Sequence, residues 1–253
     1  MEGRLVKTTV MRLAERDGLD AQAKARLEES IALMERLFDG LGFCLSEEGD
    51  LLSQWRGYAD DAKGVAIGFN HEYLTALQQD REKDSPRFSI YQAQYDIDKH
   101  DADVAPTYRE LRRLIDEGAF KRKGSWSLLD SRTPDEIAAD DKKIETSYRA
   151  LVIKLLELFP KLYELKAPAF REEREWRLVS IFTDSIDEQC QFRASRGRVI
   201  PYRSFVLKDL GLPPISEVIL GPKHETPPKV LQSLLKRAGY SDVIVRRSEA
   251  SYR

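Results

Sequence analysis

Two short polar clusters interrupt otherwise apolar elements, and they are where this chain could do chemistry. One is Gln54-Trp55-Arg56-Gly57-Tyr58, and the other is Glu172-Glu173-Arg174-Glu175-Trp176-Arg177. If the second cluster runs into a strand, residues two apart share a face, so Glu173, Glu175 and Arg177 line one surface. Carboxylates on one face raise each other's pKa unless a cation intervenes, and Arg56 and Arg177 are the cations available to do so. A polar site assembled from Gln54, Arg56, Tyr58, Glu173, Glu175 and Arg177 is therefore expected. The same residues also read as a salt-bridged strand start, with Trp176 as core filler. Exposure separates the two readings: a catalytic carboxylate opens into a cleft, whereas a structural one is sealed and paired.

Other candidates are weaker. Arg193, Arg196, Arg198 and Arg203 fall in a stretch without acids, which suits a cationic hairpin gripping phosphate or a solvated hairpin tip. Lys121-Arg122-Lys123-Gly124 reads as a solvated basic turn. His71, His100, His224, Cys44 and Cys190 have no metal-ligand spacing, so no metal site is expected. No dinucleotide fingerprint, P-loop or Gly-x-Ser-x-Gly elbow occurs, which removes the commonest dehydrogenase, kinase and hydrolase readings.

The first cluster needs a compact scaffold. Phe43 to Leu45 reads as a strand, Asp50 as the N-cap of a short helix carrying Leu51, Leu52 and Trp55, and Gly64 to Phe69 as a second strand. Upstream, two amphipathic helices are expected, the second with Leu27, Ile31, Met34 and Phe38 on one face and ending at Gly40 and Gly42. Downstream come a helix over His71 to Gln79, a charged loop over Asp80 to Pro86, a strand over Ser89 to Tyr95 and a helix from Tyr108 to Glu117 following Pro106. Thr133-Pro134-Asp135-Glu136 forms a capping box at the head of the longest helix, whose stripe is Ile137, Ile144, Tyr148, Leu151, Leu155 and Phe159.

The last third turns to β structure. Glu175 to Phe182 alternates, with Trp176, Leu178, Ser180 and Phe182 on one face and Glu175, Arg177, Val179 and Ile181 on the other. Trp55 and Trp176 are both expected in the core. Gln191 to Ala194 and Arg198 to Tyr202 read as hairpin arms turning at Ser195-Arg196-Gly197. Ile215 to Leu220 and Val243 to Val245 are further strands, with a helix over Pro227 to Ala238 between them. Helices first and strands later, interleaved with helices, predict one α+β domain over residues 1–253, with a mixed or antiparallel sheet and packed helices.

Bulk properties narrow the class. Of 253 residues 42% are apolar, which is ordinary for a globular chain, and the net charge of −2 gives no attraction to nucleic acid or anionic membrane. With two cysteines and no apolar run of membrane-spanning length, the expectation is a cytoplasmic protein without a membrane partner.

The Leu52-Ser53-Gln54-Trp55-Arg56-Gly57-Tyr58-Ala59 block, Gly64-Val65-Ala66-Ile67-Gly68-Phe69, Phe170 to Arg177, Glu217-Val218-Ile219-Leu220-Gly221-Pro222 and the terminal Ser251-Tyr252-Arg253 together resemble the bacterial domain of unknown function 2971 family. The resemblance runs over nearly the whole chain. It implies that the usual strand, helix and strand of the family would precede Met1, so that the chain begins at the end of the family's acidic turn. The family's strand order is similar to ADP-ribosyltransferase-like folds, which implies an NAD-using enzyme, or a degenerate relative, in bacterial conflict or phage defence. On that analogy Glu175, with Glu173 and Arg56, would be catalytic, and Gln54, Tyr58 and Arg177 would hold NAD or another nucleotide or small-molecule ligand. The rival expectation is a noncatalytic ligand- or protein-binding module in which the same residues form a buried Arg/Glu ion-pair network.

Overall fold

The computed structural model describes residues 4–80, 88–124, 132–183, 190–195 and 197–252, and these form an α+β fold. The expected loop over Asp80 to Pro86 lies largely outside the described residues, as does Arg196 at the expected hairpin turn. The chain divides into two compact units.

The first unit takes residues 1–39, 93–170 and 182–185 and is built on helices. Helix α1 (Arg4–Arg16) buries Val6, Thr9, Val10 and Ala14, the spacing that puts one stripe of a 3.6-residue helix inward. Helix α2 (Ala21–Leu37) adds Leu27, Ile31 and Met34 to the same core. Glycine does not end it as expected. The chain passes straight from Leu37 into strand β1 (Phe38–Ser46), which carries Gly40 and Gly42 within it.

In the second unit, which takes residues 40–92, 171–181 and 186–253, the elements after β1 begin with helix α3 (Leu52–Tyr58), strand β2 (Val65–Phe69), helix α4 (His71–Gln79) and strand β3 (Ser89–Gln92). Asn70 caps α4 by accepting hydrogen bonds from the Glu72 and Tyr73 amides. The strand expected to reach Tyr95 stops at Gln92, and Gln94 instead makes an isolated parallel bridge to Leu165 within the helical unit.

Helix α5 (Ile97–Asp116) begins eleven residues before the expected start, at an Asp96 cap, and carries Pro106 in its interior. A proline there removes a backbone donor and costs about 3 kcal/mol. Burial of His100, Val104, Tyr108, Leu111 and Leu114 along one face, packed against α1 and α6, offsets that cost. Helix α6 (Pro134–Leu156) has the expected capping box, with Thr133 and Glu136 exchanging side-chain and backbone bonds. Of its stripe, Leu151 and Leu155 are buried while Tyr148 stays exposed. Helix α7 (Lys161–Glu164) follows.

A 3-10 turn (Pro168–Glu173) leads into strand β4 (Glu175–Thr183), which is central in a three-stranded sheet of order β1-β4-β3. Strands β5 (Gln191–Ser195) and β6 (Arg198–Tyr202) form the expected antiparallel hairpin. Strand β7 (Ile215–Leu220) is central in a second sheet, antiparallel to β2 and parallel to β8 (Ile244–Arg247), with helix α8 (Pro228–Arg237) as the crossover. Two small apolar clusters serve this unit: one around Tyr73, Leu74, Leu77 and Phe88, the other around Trp55, Ala62 and Ile219. No helix among the described residues is long and apolar enough to cross a membrane.

Candidate functional site

Strand β4 turns its charged face inward. Glu175, Arg177 and Val179 are buried, whereas Trp176 and Leu178 on the opposite face are only half-buried. Trp176 therefore is not the core residue expected, and its ring meets the edge of His71 at 5.8 Å. Charged groups on a buried face need partners within the protein. The Arg177 guanidinium donates to the Glu175 carboxylate at 2.7 Å, with side-chain exposures of only 5% and 8%. Glu173, just before the strand, lends its carbonyl to the Ser46 hydroxyl at 2.9 Å. The next carbonyl, of Arg174, accepts from the Glu47 amide at 3.0 Å, and the Arg174 side chain pairs with Glu48 at 2.9 Å.

The other expected site residues stand elsewhere in the same unit. Gln54 and Tyr58 lie on α3, and Tyr58 is 78% exposed. Both line a cavity of about 360 Å³, whose walls also include Ser46, Glu47, Glu48, Gly49, strand β2, Ser216, Glu217 and Ile219. Arg56 points away to solvent, with its guanidinium 5.3 Å from the centre of the Tyr252 ring. The structure thus brings Glu175 to Arg177 and Gln54 to Tyr58, while Arg56 sits with the C-terminal segment. Among the described residues lining the cavity there is no Lys, Arg or His. Glu48 and Glu217 are neutralised by Arg174 and Arg246.

Asp50 is the polar residue that the sequence placed in the wrong role. It does not cap α3, because Leu51 is the N-cap and makes no side-chain bond. Its carboxylate instead accepts from the Trp55 indole at 2.7 Å, the Ser248 hydroxyl and the Glu249 amide at 2.7 Å. Burial works against its charge, yet the bonds from Ser248, Glu249 and Trp55 and the nearby Arg246 together hold it below the usual carboxylate value. Arg246, 3.7 Å from Asp50, also binds Glu217 at 3.0 Å, so the wall of the cavity and α3 share one network.

A second knot holds the end of the chain. The Tyr252 hydroxyl donates to Asp61, Lys223 pairs with Asp61 at 2.8 Å, and the Lys223 ammonium lies 3.8 Å from the Tyr252 ring centre. Asp60, Asp61 and Ala62 all have positive φ, a strained turn for residues with side chains. It is held by amide bonds from Lys223 to the Ala62 carbonyl and from Gly221 to the Gly64 carbonyl. A Cβ on Gly221 would fall 2.3 Å from the Ala62 carbonyl oxygen, so only glycine fits there. Ser248, Arg246, Lys223 and Asp61 carry no motif, and only their contacts reveal them.

The arginine hairpin is an open one. Phe192 and Val199 are exposed on it, and Arg203 donates to the Ser180 hydroxyl at 2.7 Å. Cys44 is exposed and Cys190 buried, and neither forms a disulfide. No group of metal-binding side chains occurs among the described residues.

A family model described as "Protein of unknown function (DUF2971)" matches residues 54–178. The match starts at Gln54 and ends at Leu178, and so takes in both polar clusters. No curated protein and no solved structure matches the chain.

Proposed function

We propose that this chain, whose residues 54–178 belong to the DUF2971 family, is a noncatalytic binding module whose ligand enters the cavity beside Gln54 and Tyr58. One observation carries the reading. The carboxylate best placed to be catalytic, Glu175, is 6% exposed and paired with an equally buried Arg177, and neither lines the cavity. A carboxylate that stabilises an oxocarbenium-like transition state must touch the sugar. A buried pair of this kind fits a structural role in the central strand of its sheet.

The cavity suits a small ligand with hydrogen-bonding groups and a positive end. Gln54 and Tyr58 carry donors and acceptors, the Ser46 and Ser216 hydroxyl oxygens can still accept although their protons go to the Glu173 and Gly68 carbonyls, and Glu47 has no ion-pair partner among the described residues. NAD is a poor match, because its pyrophosphate would meet carboxylates and no cation on these walls.

The test is a thermal-shift and calorimetric comparison of agmatine, spermidine and NAD against the intact chain and its Gln54→Ala and Tyr58→Ala variants. The proposal expects an amine to bind and both variants to weaken it by about tenfold or more, the scale of one lost hydrogen bond to a charged group. NAD binding that survives both substitutions and is lost in Glu175→Gln would favour the ADP-ribosyltransferase-like reading instead.

A further inference from the structure

We infer that the helical unit carries a second, unrelated site: a basic cavity that binds a nucleotide-sized phosphorylated small molecule. The cavity is about 730 Å³ and is walled by α2, by the turn after α5 and by α6, a size that ordinarily encloses small ligands. Among the described residues five cations and two carboxylates line it, in a chain whose net charge is −2. The excess is therefore local rather than a reflection of overall composition.

The cations differ in what they already hold. Lys123 is committed to Glu145 at 3.0 Å, and Arg149 binds the same carboxylate, so one of the two acids is already neutralised. Arg26 is fixed in place, donating to the Phe120 carbonyl with its guanidinium 5.6 Å from the Phe120 ring centre. Lys121 and Arg122 have no carboxylate partner among the described residues, and both also line the two neighbouring hollows. Arg36 bonds back to the Ala32 carbonyl of its own helix at 3.3 Å and has no carboxylate partner among the described residues. With Glu29 as the other acid on the wall the cations remain in excess, and cations in excess repel one another unless an anion joins them; phosphate oxygens accept the forked bonds of guanidinium groups.

The rest of the wall says what else the ligand carries. Leu33 and Tyr148 are 45% and 40% exposed beside the cations, and they give an apolar and aromatic surface that bare phosphate would leave uncovered. A phosphate chain attached to a flat ring uses both halves of the wall. Lys121 to Lys123, a solvated turn on sequence grounds, becomes one side of this site once α2 and α6 stand opposite it.

Calorimetry on the full chain tests this with ATP, inorganic triphosphate and a short single-stranded RNA, at low and at physiological salt, against wild type and Lys121→Ala/Arg122→Ala. Both side chains are exposed, so an unchanged thermal midpoint should accompany the double substitution. ATP should bind, weaken as salt rises, and lose about tenfold or more in the double variant. Triphosphate should bind more weakly than ATP, because it leaves Tyr148 and Leu33 uncovered; equal binding would identify the phosphate chain alone as the recognised group. No ATP binding at millimolar concentration, or equal binding by the double variant, overturns the site. RNA bound more tightly than ATP and released by the same substitutions replaces the small ligand with a nucleic acid.

Discussion

The two units solve the problem of stability differently. The helical unit has one continuous apolar core, drawn from α1, α2, α5, α6 and α7 and the turns that flank them, and its ion pairs lie at the surface. Among the described residues the sheet unit has two small clusters and is also held by polar ties: the buried pair of Glu175 with Arg177, the part-buried Asp50 with Trp55 and Ser248, and the exposed tie of Tyr252 to Asp61. In the helical unit charge is largely left to solvent, with Lys166 as a buried exception beside the Phe170 ring, and cations gather at a cavity. Where apolar area is scarce, polar ties carry more of the load, and removing one side of a buried tie leaves a desolvated group behind.

Substitutions should separate the units by this logic. The largest effect is expected at the buried pair: Glu175→Gln or Arg177→Met alone should cost about 3–5 kcal/mol in urea unfolding, and Glu175→Leu/Arg177→Met together much less. Equal and additive losses would show that the two side chains do not act as a pair. Next is Asp50→Asn, which should cost about 2 kcal/mol by weakening bonds to three donors. Because folding holds the Asp50 carboxyl below its ordinary value, its contribution is complete above that value and fades as pH falls through the acidic range. The variant should therefore lose less stability on acidification than wild type does, and a parallel pH profile would count against the network.

The helical unit should respond at the other end of the scale. Burial, with the Asp17 carboxylate beside it, pushes the Tyr108 hydroxyl up to about 12. The neutral phenol is thus favoured in the fold, so its contribution is intact below the ordinary value near 10 and lost as pH rises to about 12. A stability drop on the order of 2 kcal/mol over that window should be absent in Tyr108→Phe. The smallest expected effect is Thr133→Ala at the head of α6, about 1 kcal/mol in thermal unfolding.

Elements with local causes were legible in the sequence. The capping box at Thr133, the Asn70-headed helix, the hairpin and the β7-α8-β8 unit all follow from caps, turns and periodicity within a few residues. What failed was set from farther away. Pro106 sits inside a helix because its neighbours' apolar face is buried, and β4 turns its charged face inward, which strand alternation alone leaves open between its two faces. Asp50 has the residue type and position of a cap, but donors almost 200 positions later capture it. For the site, both polar clusters were visible as interruptions of apolar elements. That Glu175 would be sealed while Gln54 and Tyr58 opened on a cavity depends on packing that no spacing reports.

The central claim is that Glu175 and Arg177 hold the fold and do no chemistry, and nicotinamide release from NAD tests it most directly. Wild type and Glu175→Leu/Arg177→Met, each confirmed as folded, would be assayed side by side. The account predicts no release above background from either, together with unchanged amine binding at the Gln54 cavity. Release by wild type that disappears in the folded double variant would contradict it.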